Sequence, residues 1–221
     1  MSKKAGIAML TAGVVLIISA LLLFAYNRHE DAQAGQEAEN LLKRVETAVG
    51  ELNKKEPDTE KPDNARDTSA ALDPEMPAVM LDGYEYVGYV EIPVLELKLP
   101  VMSEWDYTRL KTAPCRQFGS TRTDDLVIAA HNFESHFGRL KDLSAGDTVM
   151  ITDMEGIINI YSVAKIETLP PNAVDAVQNS GYDLVLYTCT KGGKTRVTVF
   201  CDRASNAIAL ADPAGKLDAA G

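Results

Sequence analysis

The 221-residue sequence predicts a mainly β domain, folded as a closed or nearly closed barrel, behind an N-terminal transmembrane helix. Three observations support this fold class. Residues 5–26 contain no charged side chain, and a membrane-spanning helix needs about 20 apolar residues. After Tyr84, about seven short segments have strand patterns bounded by turn residues. Few helical patterns occur among them, and many short strands with few helices are typical of a barrel.

The apolar segment 5–26 predicts a retained membrane anchor. Lys3 and Lys4 precede it, so the positive-inside tendency places residues 1–4 in the cytoplasm and everything after Tyr26 outside. A cleaved signal peptide is the alternative, but its apolar region is shorter, about 7–15 residues. We therefore expect a single-pass protein of the cell membrane whose folded domain is extracellular.

Residues 27–78 are predicted to form a stalk or linker. Up to Leu52, apolar residues recur at helical spacing, so a short amphipathic helix and a solvated, partly ordered tether are both open. The stretch that follows carries Pro57 and Pro62 among charged residues, a composition typical of a linker. The folded domain is expected at 79–204. The tail 205–221 is rich in Ala and Asp and is expected to be disordered.

The strands of the domain are predicted in order along the chain. Segments with strand patterns are 84–92, 95–99, 126–130, 147–153, 157–166, 184–188 and 197–201. The segment 95–99 alternates apolar and polar residues, whereas 126–130 is continuously apolar, as expected for a buried strand. A turn at 154–156 predicts a hairpin. Residues 104–111 are expected to form a short helix.

Composition and spacing argue against two classes of function. The formal net charge of −10 argues against a nucleic-acid partner, because phosphate groups require a basic protein surface. His131 and His136 have the spacing His-x-x-x-x-His, whereas the helical zinc motif requires His-Glu-x-x-His, and no Cys-x-x-Cys occurs. We therefore expect no catalytic metal and no cofactor, and we predict that His136 is a surface or loop residue.

Three reactive or charged residues lie at the ends of predicted strands. His131 follows the run 126–130, Cys189 follows 184–188, and Arg196 begins the next strand. A strand that stops at a reactive side chain holds it in a fixed geometry. A thiolate can attack a peptide carbonyl, an imidazole can transfer the proton, and an arginine, which stays protonated, can stabilise negative charge. This arrangement predicts acyl-transfer chemistry on Cys189, His131 and Arg196.

The remaining cysteines and one further arginine are alternatives for these roles. Three cysteines in an exported domain leave at least one free thiol. Cys201 shares a strand face with two valines by the two-residue period, which favours a structural role. Cys115 has no partner motif, and a Cys115–Cys201 disulfide remains open. Arg203 is the alternative to Arg196, but it lies at the far end of the same strand from Cys189.

Several motifs, in this order, resemble those of the sortase family of cysteine transpeptidases. They are Ile92-Pro93, Leu99-Pro100-Val101, Ala129-Ala130-His131-Asn132, Phe137-Gly-x-Leu140, Gly146-Asp147-x-Val149, Leu186-Tyr-Thr-Cys189-Thr and Arg196-Val-Thr-Val. In the family, a Thr-x-Thr-Cys run ends one strand and an arginine begins the next. Val185 and Leu186 stand where that pattern has its first Thr. The resemblance covers about Tyr84 to Arg203, which is essentially the whole predicted domain.

The resemblance implies a role for each candidate residue. Cys189 would be the nucleophile, His131 the general acid/base, and Arg196 the group that binds the substrate or the oxyanion. The implied reaction cleaves a sorting signal of the Leu-Pro-x-Thr-Gly (LPXTG) kind between Thr and Gly through a thioacyl enzyme. The acyl group then passes to an amine of a peptidoglycan precursor or a pilin. Such enzymes act on the outer face of the membrane of Gram-positive bacteria. The implied fold is a closed eight-stranded β-barrel.

The class within the family remains open, and so does one function of another kind. Asp73-Pro74 resembles the lid dipeptide of pilus-building class C enzymes, but Glu75 stands where an aromatic residue is expected. The stretch 167–183 is too short for the long helix of class B. A housekeeping, class D-like or unclassified member fits better. The alternative function is a membrane-anchored extracellular β-barrel that binds a partner without catalysis. Papain-like peptidases fit worse because their cysteine precedes the histidine.

Overall fold

The apolar segment and the Ala-rich segment after it form one continuous helix, α1 (Lys3–Lys54). The computed structural model describes residues 3–54 and 74–210. The apolar window in the first part of α1 is long enough to cross a membrane, and its residues are not buried against the protein. The linker prolines Pro57 and Pro62 lie outside the described residues, as do residues 1–2, Asp73 and the tail after 210.

The second part of α1 packs on the barrel and is not a solvated tether. The buried residues of this part recur every three or four positions: Ala34, Ala38, Leu42, Val45 and Val49. Leu42, Val45 and Val49 pack in one cluster with Tyr86 and Met102 of the barrel. A fully buried Val or Leu contributes about 1.5–3 kcal/mol, so this apolar stripe holds the helix on the sheet. The folded unit therefore extends beyond the predicted boundaries 79–204.

The strands form a closed barrel, as predicted. The nine strands within the described residues are β1 (Val79–Leu81), β2 (Tyr84–Ile92), β3 (Leu97–Met102), β4 (Cys115–Phe118), β5 (Leu126–Ala130), β6 (Thr148–Asp153), β7 (Ile157–Leu169), β8 (Leu184–Cys189) and β9 (Arg196–Leu210). Their order around the barrel is β2-β3-β4-β5-β8-β9-β7-β6, and β6 pairs again with β2. Eight strands close the barrel, and β1 forms a hairpin with the start of β2.

Two neighbouring pairs in the barrel are parallel, β3–β4 and β5–β8, and the others are antiparallel. The β5–β8 pair runs in register over five residues, from Leu126 opposite Leu184 to Ala130 opposite Thr188. Parallel strands end at the same edge of a sheet, so the residues that follow β5 and β8 meet at one end of the barrel.

The structure differs from the sequence-based prediction in several elements. Residues 104–111 form turns with a 3₁₀ segment only at Arg109–Lys111. Strand β4, which is bounded by Pro114 and Gly119, has only four residues and too little pattern to be predicted. Residues 205–210, assigned from the sequence to a disordered tail, continue β9 because their backbone pairs with the first residues of β7.

The barrel interior and the outer face of the same strands are both apolar around the site. Val199 and Cys201 pack in the interior, as the two-residue period predicted. On the outer side, Val127 and Val185 pack with Phe200. Strand β5 is buried along its whole length, which explains its continuous apolar run. These two layers hold the ends of β5, β8 and β9 in place, and the candidate residues lie there.

Candidate active site

The parallel β5–β8 pair places His131 and Cys189 at equivalent positions, each directly after the last paired residue of its strand. Ala130 and Thr188 are partners in the ladder, so the next residue of each chain segment is His131 or Cys189. Neighbouring strands lie about 4.8 Å apart, and paired residues point to the same side. The Thr188 hydroxyl donates a hydrogen bond of 2.9 Å to the Ala130 carbonyl oxygen and ties the two strand ends together.

Arg196 lies directly across the antiparallel ladder from Cys189. The turn between β8 and β9 has Gly192 and Gly193 at φ angles of 87° and 72°, a region that suits glycine because it has no Cβ. The Arg196 guanidinium donates through Nη1 to the carbonyl oxygens of Gly193 at 3.0 Å and Thr195 at 3.1 Å. An arginine carries five N–H donors, so these bonds leave others for a substrate.

The imidazole of His131 is half-buried and stacks on Phe133. The ring centroids are 4.1 Å apart and the planes differ by 22°. Its Nδ1 is buried and has no hydrogen-bond partner among the described residues. Burial lowers the pKa of His131, and Lys111 lowers it further, whereas Glu30 and Asp31 of α1 raise it. The net effect favours the neutral imidazole, which can accept a proton.

A groove of about 240 Å³ runs over the outer face of the barrel to Cys189 and Arg196. Its walls are largely apolar, and they include Trp105, Phe118, Leu169, Pro170, Val174 and Tyr187. The Tyr187 hydroxyl donates to Gln117 Oε1 at 2.5 Å, and burial raises the pKa of Tyr187 to about 12. The phenol therefore stays protonated at neutral pH. An extended peptide with apolar side chains would match this groove.

A second cavity, of about 350 Å³, meets the groove at Cys189. Its lining includes Asn132 and Arg139 from the segment after His131, and Thr190 and Lys191 from the β8–β9 turn. Cys189 thus borders two separate cavities. Sequence patterns did not reveal this second cavity, because its walls come from two turns that lie far apart in the chain.

A third hollow continues the groove at its other end. It shares Trp105, Gln117 and Phe118 with the groove and extends to Pro74 and Glu75. Arg116 donates to the Glu75 carboxylate at 3.0 Å. Glu75, which follows the dipeptide that resembles the class C lid, is therefore bonded to the barrel beside the groove.

The alternatives to the three candidate residues lie elsewhere. Cys115 and Cys201 are both buried and free, and burial raises the pKa of each thiol to about 12. Arg203 bonds to Asp124 at 2.7 Å and to Asn159 at 2.6 Å, far along β9 from Cys189. These contacts give Arg203 a structural role. No group of three or more metal-binding side chains occurs within residues 3–54 and 74–210.

The sequence predicted a surface or loop position for His136; the residue lies in a loop, but it is buried and not at the surface. Its side chain is 0% exposed, and burial lowers its pKa to about 4. The aromatic ring of Phe133 meets it edge-on, with centroids 5.6 Å apart. Alternation could not reveal this burial, because His136 lies in an irregular segment that α1 covers.

The fold is an eight-stranded barrel. A thiol, an imidazole and a guanidinium lie at the ends of neighbouring strands, and together they form a candidate cysteine active site. The family model described as Sortase domain matches residues 90–204, more than half of the chain. The chain belongs to the sortase family, which confirms the family resemblance. No curated protein matches the sequence.

Two solved structures show the same fold. Sortase C from Streptococcus pneumoniae is 21% identical with a TM-score of 0.52, and the alignment covers 84% of this chain and 98% of that one. Sortase C-3 from the same organism is 23% identical with a TM-score of 0.52, over 83% of this chain and 88% of that one. At these identities the likeness concerns the fold.

Proposed function

We propose that this chain cleaves an LPXTG-like sorting signal through a thioacyl enzyme on Cys189 and transfers the acyl group to a cell-wall or pilin amine. Membership of the sortase family makes it a sortase-type transpeptidase. The observation that supports the finer proposal is the register of β5 and β8, whose last pair directly precedes His131 and Cys189, together with the apolar groove that ends at Cys189.

The first half of the reaction uses all three candidate residues. Neutral His131 first takes the proton of the Cys189 thiol and becomes an imidazolium. The resulting thiolate attacks the Thr carbonyl carbon of the signal, and the negative charge moves to the carbonyl oxygen. Arg196 is suited to stabilise that oxygen, because its guanidinium shares a sheet face with the thiol. The C–N bond then breaks, and the imidazolium of His131 donates its proton to the departing Gly amine. The products are a thioester on Cys189, a neutral His131 and the released C-terminal fragment.

The second half reverses the proton transfer. An acceptor amine attacks the thioester carbon, and neutral His131 takes a proton from the amine. The C–S bond breaks, and the Cys189 thiolate leaves and recovers a proton from the His131 imidazolium. The product, joined to the acceptor by the new amide bond, is released. Cys189 borders both the groove and the second cavity, so an acyl group held in the first can be reached from the second.

The proposed location is the outer face of a cell membrane. The apolar window in α1 is compatible with one membrane span, and the lysines before it favour a cytoplasmic N-terminus. The substrate would then be a secreted protein that carries the sorting signal, and the acceptor would be a peptidoglycan precursor or a pilin.

Intact-mass spectrometry of the full chain in detergent tests the proposal. With Leu-Pro-x-Thr-Gly peptides and an amine donor, we expect a thioacyl adduct on Cys189 that the amine removes. Cys189→Ala should form no adduct, whereas Cys115→Ala, the matched control, should retain it. No adduct across a broad peptide library, with the barrel folded by circular dichroism, would favour the binding module without catalysis.

A further inference from the structure

Helix α1 makes several hydrogen bonds with the segment that carries His131. We call residues 131–138 the His131 loop. The Asp31 carboxylate accepts hydrogen bonds from the backbone N–H of Ser135 at 3.0 Å and of Glu134 at 3.3 Å. The Ser135 hydroxyl lies 2.6 Å from the same carboxylate and 3.0 Å from the Asp31 carbonyl oxygen. One side chain of the helix thus holds two consecutive residues of the loop.

The helix and the loop approach closely at this point. A Cβ on Gly35, one turn after Asp31, would lie 3.0 Å from the Ser135 Cβ. The nearby Arg28–Glu134 ion pair is 3.4 Å long and its side chains are well exposed, so it contributes little. Asp31 therefore makes most of the hydrogen bonds that join the loop to α1 within the described residues.

His131 depends on its loop for its orientation. Nδ1 has no hydrogen-bond partner among the described residues, so no carboxylate or carbonyl there fixes the ring through this nitrogen. Instead the ring stacks on Phe133. The loop closes on itself through the Phe137 N–H, which donates to the His131 carbonyl oxygen at 3.2 Å, and the Gly138 N–H, which donates to Phe133 at 2.8 Å. Displacing the loop would therefore displace the imidazole.

We propose that Asp31 is a positioning residue for His131. Helix α1, beyond its membrane-spanning part, would then help to orient an active-site side chain. The inference rests on the proposed role of His131 as acid/base. Asp31 lies five positions after Tyr26, the end of the predicted span, which is about 8 Å along a helix. The His131 loop is consequently attached to the first turns of α1 outside the bilayer.

The charge of Asp31 also acts on the imidazole. Asp31 and Glu30 raise the pKa of His131, whereas burial and Lys111 lower it. The ring of Phe133 contacts both His131 and His136. His136 carries no charge at physiological pH, because burial lowers its pKa to about 4. Replacing Asp31 by Asn removes one of the two carboxylates, so the pKa of His131 should fall further.

Steady-state kinetics of the full chain in detergent micelles tests the positioning role. We expect Asp31→Ala to lower kcat roughly tenfold or more, since small misplacements of reacting groups are costly, while the KM for the peptide changes less than about twofold. In the pH–rate profile, Asp31→Asn should move the limb that reports the ionisation of His131 to lower pH. Asp31→Glu should recover part of the activity. The matched control is Glu37→Gln, an exposed acidic residue of the same helix.

A second measurement separates this inference from the proposed function. NMR titration of the His131 imidazole in a Cys189→Ala background needs no turnover, and we expect a lower pKa in Asp31→Asn than in Glu37→Gln. If Asp31→Ala and Asp31→Asn match Glu37→Gln in kcat, pH limb and imidazole titration, the positioning role is wrong. A wild-type chain that forms no thioacyl adduct would instead contradict the proposed function, whatever the titration shows.

Discussion

The hydroxyl of Thr188 donates a 2.9 Å hydrogen bond to the carbonyl oxygen of Ala130, and these two residues directly precede Cys189 and His131. The bond is buried, and the two residues that it joins are 58 positions apart in the chain. It therefore acts at the point where the two candidate catalytic side chains leave the sheet.

Replacing Thr188 by Val keeps the shape of the side chain but removes this bond. The Ala130 carbonyl then loses a buried partner, so we expect a loss of about 1–3 kcal/mol in the free energy of unfolding. Turnover should fall as well, because the ends of β5 and β8 are less tightly joined. Thermal unfolding and kcat measure the two effects.

Thr198→Val is the matched control on the neighbouring strand. The Thr198 hydroxyl is buried and has no hydrogen-bond partner within the described part of the chain. Its removal should leave stability unchanged or raise it. Equal destabilisation by both substitutions would contradict the importance of the Thr188–Ala130 bond.

Arg196 and Arg203 offer a comparison of two arginines on one strand. Arg196→Ala should lower kcat/KM roughly 10²–10³-fold, as expected when one donor to a developing oxyanion is lost. Arg196→Lys should recover little, because an ammonium cannot reproduce the planar guanidinium. Arg203→Ala should instead lower the thermal midpoint and spare kcat of the folded enzyme. A larger loss of kcat in Arg203→Ala would reverse the two roles.

The three thiols should differ in their reaction with iodoacetamide. Burial raises the pKa of Cys115 and Cys201 to about 12, so very little thiolate forms at pH 7.5, and neither thiol is exposed. Cys189 is partly exposed. We expect one alkylation in the native protein and three after denaturation, counted by intact mass. Native labelling of Cys189→Ala at the wild-type rate would contradict this assignment.

His136 should make the fold less stable in acid. Its pKa falls to about 4 on folding, from an ordinary value of 6.5, so the unfolded chain binds the proton first. The free energy of unfolding therefore does not depend on His136 above pH 6.5. It decreases as the pH falls towards 4, by up to roughly 3 kcal/mol. Thermal unfolding between pH 4.5 and 7.5 measures it.

The same pH series with His136→Gln provides the control. Because other groups also titrate in this range, the difference between the two proteins isolates His136. The variant should show a smaller loss of stability on acidification than the wild type. Parallel stability curves would mean that His136 does not carry this dependence.

The local relationships in the site could be read from the sequence. Cys189 and Arg196 are seven positions apart across a Gly-Gly turn, and a hairpin of that length makes them cross-strand neighbours. The continuous apolar run of β5 likewise predicted a strand buried on both faces. Short-range periodicity and turn chemistry determine such features, because only residues close in the chain take part.

The order of the motifs, taken together, also indicated the sortase family, and the family match over residues 90–204 agrees. No pattern in the sequence, however, could establish that His131 lies beside Cys189. That neighbourhood depends on which strands pair when the barrel closes, and β5 and β8 are separated by two other strands and α2 (Val174–Gln178).

The sequence by itself therefore determined an apolar segment long enough to cross a membrane, the strand-rich domain and the residue types available for acyl transfer. Only the tertiary structure decided that α1 covers the barrel, that Asp31 holds the His131 loop, and that His136 is buried. The physical reason is that an amphipathic pattern specifies which face of a helix is apolar but not which surface it will cover. Contacts between distant segments arise from the packing of the whole domain.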